Sequence, residues 1–447
     1  MIVRRAQVGA LSLASIVSAL IGLGIATPSG RGNDLTFRGG VLSAPHGKPA
    51  VSGPGGYYLT ADEVAQIRQN IVTRPQVKQA WANAKAFADS KLAVEPKAAD
   101  PNGDYSRYPP ERPNWRDDLY IPGIEDGHAA AGLALAWLVT KDARYARSAK
   151  RILFGWVQRY THPPGVGGGS APGHMVAEPI GPMIKFFITA DMLRSYLSTS
   201  ERQRVSVWAR QWIAVGERSA DYARDNPWVP ALQIGSFESS EASYGNSAFG
   251  QRAMAMWAAA IAGPRYLANA LAWNWQHTTA AGREYGWLDV IDHFIIPGTG
   301  GETIEGRERK SVGYGLFGWG DLVLIADLAK HAGYERNLFT TPTPTGKNVL
   351  SVGPFYGPLL AGSAGYPYAS SETFLDYETQ TKPEYRAVFE TAYKNCPTKN
   401  PVCSYFRSAV RAGGPIQRGN NEDFHLMRWN ALTSGIQLRL PAPVGKG

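Results

Sequence analysis

From residue 125 onward, apolar positions recur at three- and four-residue spacing, and alternating valine or isoleucine is scarce before residue 340. That period belongs to helices. The first clear start is Thr60-Ala-Asp-Glu63, a capping box that predicts a helix running to about Ser90. From Glu125 the chain settles into paired helices. His128, Leu133, Trp137 and Leu138 mark one apolar face, and Asp142 to Tyr160 forms its partner. Another helix is expected from about His174 to Leu197. Ser198-Thr-Ser-Glu201 is a second capping box, opening Arg202–Ala223. Further helices are predicted at Ala248–Gly263, Arg265–Ala281, Val312–Ala332, Tyr385–Lys394, Tyr405–Ala412 and Phe424–Ser434. Between Gly346 and Tyr377 the pattern is short and turn-broken and admits a few short strands. Helix hairpins with short connections point to an all-α fold, an incomplete α/α toroid whose inward helices line a cleft. No exact repeat appears at the ~33–34-residue period of helical solenoids.

The ends set the organisation. Arg4 and Arg5 precede an apolar run from Ala10 to Ala26, and Gly24-Ile-Ala26 offers small residues before a cut. This is the pattern of a secretory signal, and the run is shorter than the ~20 residues a spanning helix prefers. Residues 1–26 therefore read as a signal peptide, residues 27–56 as a linker or N-terminal arm, and residues 57–440 as one domain. An uncleaved anchor is the alternative. The expectation is a periplasmic or secreted monomer with no stable membrane insertion once the signal is removed. The only cysteines, Cys396 and Cys403, are flanked by prolines and read as a disulfide closing a small loop. No histidine lies near them in sequence to complete a zinc site, so no metal is expected.

Composition is globular, and a net charge of +9 with pI near 9.3 favours an anionic partner. Nucleic acid fits poorly: charged residues are 19%, and there is no lysine-rich tract, zinc-finger spacing or RNA-binding signature. Thirteen tryptophans and 21 tyrosines suit stacking on sugar rings, although most such residues belong to a core. An acidic polysaccharide agrees best with the export signal. The loop Pro96–Pro122 holds Arg107, Tyr108, Arg112, Trp115 and Arg116, and its length suggests a lid, with Arg112 and Trp115 as substrate contacts. Two glycine patterns carry no cofactor. The loop Thr161–Gly173 lacks the Gly-Lys-Ser/Thr ending of a phosphate loop. Gly313-Tyr-Gly-Leu-Phe-Gly318 follows a basic segment rather than a strand.

Chemistry concentrates in Gly301–Gly320, GETIEGRERKSVGYGLFGWG, which carries Arg307, Arg309, Lys310 and Tyr314 before an apolar run. Read as one helix, the segment puts Arg307, Lys310 and Tyr314 on one face, with Arg307 and Tyr314 roughly 10 Å apart along the axis. Two cations beside a phenol favour its phenolate, which suits tyrosine to carrying a proton. A solvated basic helix end is the plainer reading.

The segment resembles the arginine and tyrosine motif of the alginate lyase superfamily, especially the family-5 polysaccharide lyases. There a Glu-containing turn leads to an arginine, a basic residue three on, a tyrosine seven on and an apolar helix. Here these are Glu305, Arg307, Lys310, Tyr314 and Leu322–Ile325. The family's second motif, an asparagine–histidine pair opening an alanine-rich helix, corresponds to the stretch from Tyr244 to Ala260. Asn246 matches the asparagine, and Ser247 stands where the family has a catalytic histidine. The resemblance implies an α/α toroid and β-elimination without cofactor or metal on a uronate polymer. By it, Tyr314 is base and then acid, and Arg307 and Asn246 neutralise the carboxylate. His174 or His128 is a candidate to replace the missing histidine, and Lys310, Ser247 and Tyr244 are substrate contacts. Two other classes stay open. A glycoside hydrolase would use Glu125-Asp126 with Glu178 or Glu302, and a non-catalytic polysaccharide-binding protein would explain the lost histidine.

Overall fold

The computed structural model describes residues 56–97, 121–159, 180–225, 240–308, 312–365, 367 and 383–412. The expected signal peptide, most of the expected arm and the helix Phe424–Ser434 lie outside the described residues. The helices are α1 (Ala61–Thr73), α2 (Pro75–Lys91), α3 (Ile121–Thr140), α4 (Ala143–Arg159), α5 (Ile180–Met192), α6 (Thr199–Asp225), α7 (Ser240–Ala262) and α8 (Pro264–Trp275). They continue with α9 (Trp287–Phe294), α10 (Ile304–Glu308), α11 (Val312–His331), α12 (Gly353–Leu360), α13 (Pro383–Asn395) and α14 (Cys403–Ala412). The fold is an incomplete α/α toroid, built from helices of two kinds.

Helices α5 and α11 are buried along nearly their whole described length, as are most of α3 and the second half of α7. Helices α4, α6 and α8, which follow α3, α5 and α7, each bury one stripe and expose the other. A helix that is apolar all round must be enclosed, whereas a one-sided helix can cover it from the solvent side. The alternation therefore yields an inner and an outer layer. Helix α7 is the hub: α5, α6, α8, α10 and α11 all pack on it. Its alanines let those neighbours approach closely.

The two ends of this arrangement are tied by polar contacts. Glu63 on α1 meets Lys394 Nζ of α13 at 2.5 Å and His331 Nε2 of α11 at 3.2 Å. His331 Nδ1 lies 2.7 Å from the Tyr57 carbonyl, and the Tyr58 amide donates to Asp191 Oδ2 of α5 at 2.8 Å. The start of the domain is thus fastened to α5, α11 and α13. Farther on, the disulfide Cys396–Cys403 closes the turn between α13 and α14, as the spacing suggests.

Several boundaries differ from the sequence reading. The single helix from Thr60 is two helices, because Pro75 lacks an amide hydrogen and disfavours helical geometry at Arg74, which is extended (φ −125°, ψ 114°). Both capping boxes form: the Glu63 amide donates to Thr60 Oγ1 and the Glu201 amide to Ser198 Oγ, each at 3.2 Å. Within Gly346–Tyr377, the described residues hold a 3-10 turn (Val349–Val352) and α12 rather than strands. The helix expected to reach Ala281 ends at Trp275 and gives way to a tight reversal bridged by Thr278 and Glu284. Helix α9 is an addition to the expected set, although Trp287, Val290, Ile291 and Phe294 have helical spacing. Among the described residues, no helix is long and apolar enough to cross a membrane.

Candidate active site at a glycine crossing

The basic segment is not one helix, as its spacing suggested. Arg307 lies in the short α10, Tyr314 lies in α11, and residues 309–311 between them are outside the described residues. What relates the two is a backbone crossing. A Cβ built on Gly306 would lie 3.4 Å from the Cα of Gly315 and 2.2 Å from the Tyr356 hydroxyl, and one built on Gly315 would lie 2.2 Å from the same hydroxyl. Only glycine fits at either position without displacing Tyr356. Because Arg307 follows Gly306 and Tyr314 precedes Gly315, the crossing brings the two motif residues' backbones to flanking positions.

The crossing rests on a buried strut. The Tyr356 hydroxyl is 2.7 Å from Thr303 Oγ1, which also accepts from the Gly306 amide at 3.2 Å and so caps α10. Tyr356 and Thr303 are both fully buried. Sequence reasoning missed both, since 53 residues separate them.

Glu302 supplies the charge of the site. It is 1% exposed, and its Oε2 accepts from Arg307 Nε at 2.9 Å and from Nη2. The Arg307 side chain is 41% exposed, so a buried carboxylate holds a guanidinium that still faces solvent. Glu302 is itself fixed through its main chain. Its amide donates to Thr299 Oγ1 at 3.1 Å, and its carbonyl accepts from the Ile296 amide at 2.8 Å. Of the two acids that precede the arginine in sequence, Glu302 is thus seen paired with it. The Glu305 side chain lies outside the described residues.

Helices α10 and α11 both pack on α7, which carries Tyr244, Asn246 and Ser247. That helix begins at Ser240 rather than Ala248, so Asn246 and Ser247 lie inside it and not at its start. The side chains of Tyr244, Asn246, Ser247 and Tyr314 are outside the described residues, as are Lys310, His174, Glu178, Arg112 and Trp115 altogether. What can be placed is the set of elements, and the two motif regions share one hub.

Arg252 anchors that hub, with no signal in the sequence to single it out. It is fully buried on α7, donates to Asn274 Oδ1 at 2.9 Å and to the Tyr285 carbonyl at 2.6 Å, and lies 4.6 Å from the Trp273 ring centre and 4.3 Å from that of Tyr285. This locks α7 to α8 and to the turn that follows. Burial, reinforced by the Asp221 charge and opposed by Arg252, pushes the Glu217 carboxyl up to about 7.

The other candidates lie elsewhere. His128 is 4% exposed on α3, which packs chiefly on α2, α4 and α5. Its neighbour Asp126 is buried and accepts from Trp156 Nε1 and the Lys97 amide, each at 2.7 Å. Burial pushes Asp126 up to about 6 against those hydrogen bonds. Glu125 is paired with Lys97. These carboxylates are committed to α3 and its surroundings, while Glu302 is committed to Arg307.

The architecture is similar to that of a solved alginate lyase. An alginate lyase from Bacteroides ovatus matches with a TM-score of 0.56 and 16% identity over 81% of this chain and 97% of that one. Alginate lyase A1-III complexed with a tetrasaccharide matches with a TM-score of 0.48 and 15% identity, covering 77% of this chain and 86% of that one. No family model and no curated protein sequence matches the chain.

Proposed function

We propose that this protein is an exported polysaccharide lyase that cleaves a uronate-containing anionic polysaccharide, of alginate or glucuronan type, by β-elimination. The observation that carries the reading is the crossing of α10 and α11 at Gly306 and Gly315 upon α7, with Arg307 fixed by a buried carboxylate and still open to solvent. In the reaction, Arg307 and Asn246 neutralise the substrate carboxylate, which makes the C5 proton removable. The Tyr314 oxygen takes that proton as C4=C5 forms and the C4–O bond breaks, and the same group returns a proton to the departing O4. Atoms balance without a cofactor, and the product carries one unsaturated end.

Ser247 leaves no imidazole after Asn246, so the tyrosine works without that partner. Activity then rises towards alkaline pH on a single limb, with no limb near the ordinary histidine value of about 6.5. A histidine limb that vanishes in His174→Ala or His128→Ala would mean that the base has been relocated. The decisive test follows absorbance of unsaturated ends while the purified protein is incubated with mannuronate, guluronate and glucuronate polymers. A lyase produces the double bond. New reducing ends without it would indicate hydrolysis, and binding without either would indicate a non-catalytic receptor.

A further inference from the structure

Glu302 immediately precedes the Thr303 cap of α10 and Arg307 lies four residues into that helix, so the chain's entry into α10 brings the two side chains together. Before α10 begins the chain doubles back after α9, bridging Ile295 with Thr303. The pairing is thus built at the entry to α10. The two contacts with Glu302 run from the Nε–Nη2 edge of the guanidinium to one oxygen, Oε2. The Nη1–Nη2 end is the group's other two-pronged fork, the geometry that matches a carboxylate. The buried acid therefore grips the guanidinium by its inner edge while the side chain remains 41% exposed.

We propose that Glu302 is a positioning residue: it fixes the Arg307 fork at the angle needed to receive a substrate carboxylate and acts on turnover only through Arg307. An arginine side chain loses much rotamer freedom on ordering, and here the ordering is done before substrate arrives. Glu302 suits that task because its main chain is held at both the amide and the carbonyl. The carboxylate-binding role of Arg307 rests on the uronate-lyase reading. The hold of Glu302 on Arg307 does not.

A double-substitution cycle tests the idea. Glu302→Gln keeps the shape and removes the charge, and it should lower kcat on the order of 10- to 100-fold with KM little changed. In an Arg307→Ala background the same substitution should cost nothing further. A purely structural role would instead give losses that multiply. Should Glu302→Gln fail to fold, Glu302→Asp, which retains the charge and withdraws the oxygen by a methylene, serves the same cycle. A second readout needs no turnover. The Arg307 Nε–H resonance, assigned by its loss in Arg307→Ala, should exchange slowly with solvent in the native protein and rapidly in Glu302→Gln. Multiplicative losses, or an exchange rate unmoved by Glu302→Gln, would overturn the proposal. A native protein that makes no unsaturated ends would defeat the lyase reading and with it the substrate role of Arg307, while the exchange measurement would still decide the hold.

Discussion

The two ends of α11 use charge in opposite ways. At its C-terminal end, Asp327 and His331 meet Glu63 and Lys394, and the Lys394 side chain is almost wholly enclosed. Burial alone would raise the Glu63 carboxyl, but the His331 hydrogen bond and the Lys394 charge hold it well below the usual range. At the N-terminal end, α11 begins beside a glycine crossing and a guanidinium that a buried acid grips while its side chain still faces solvent. Closed charge fastens the chain. Charge that stays partly exposed can meet a ligand. Burial and partner geometry, more than charge density, thus separate a structural cluster from a candidate active site.

The largest effect should come from the open end. Arg307→Ala should lower turnover by about 10²–10³, the loss typical of removing one preorganised donor to developing charge. Arg309→Ala should change little. Equal small effects from both, measured by unsaturated-end formation, would make the segment a solvated face. At the closed end, Lys394→Met leaves Glu63 and Asp327 buried without the lysine they share. It should cost about 3–5 kcal/mol of stability in denaturant unfolding, with turnover per folded molecule unchanged. A loss of turnover without loss of stability would reverse the roles of the two ends.

Gly315→Ala places a methyl 2.2 Å from the Tyr356 hydroxyl. Such overpacking costs about 1–3 kcal/mol, and the shift it forces should also depress turnover. Gly365→Ala is the control, since a Cβ there meets nothing within 4 Å. The smallest effect concerns pH. Burial would lower the His331 imidazole, but Asp327 and Glu63 outweigh it and raise it above 6.5. Its contribution to stability is present below pH 6.5 and is lost as pH rises through the higher folded value. Glu63, held low, contributes above 4.5 and loses that contribution on acidification. His331→Gln should flatten that alkaline loss in melting curves taken across that range. A native curve with no such loss would remove His331 from the account.

Much of this is legible in the sequence. Wholly apolar helices alternating with one-sided ones announce two layers, and the Thr60 and Ser198 boxes mark helix starts where they occur. The break at Pro75 is equally visible, although the run of helix formers around it argues for continuity. Less accessible is the start of α7, where Ser240–Asn246 reads as a polar loop because glycine, serine and asparagine favour turns. The Tyr356 strut has no local signal at all. Tyr356 reaches Thr303 across 53 residues, whereas Glu302 and Arg307 are close in sequence and meet at the entry to α10. Sequence patterns report periodic elements, whereas a crossing between two elements depends on the space left by both. A glycine inside a helix can weaken it or admit a close approach, and only the partner backbone decides between these.

The proposed mechanism puts the chemistry at the N-terminal end of α11, on Tyr314, and one substitution tests it most directly. Tyr314→Phe removes a single hydroxyl. Turnover on the cleaved polymer, measured as unsaturated ends per folded molecule, should fall by at least the ~10²–10⁴ that a positioned acid–base group contributes, while the variant still binds the polymer. Substantial residual turnover in that variant would contradict the account, because no tyrosine proton carrier would then be needed.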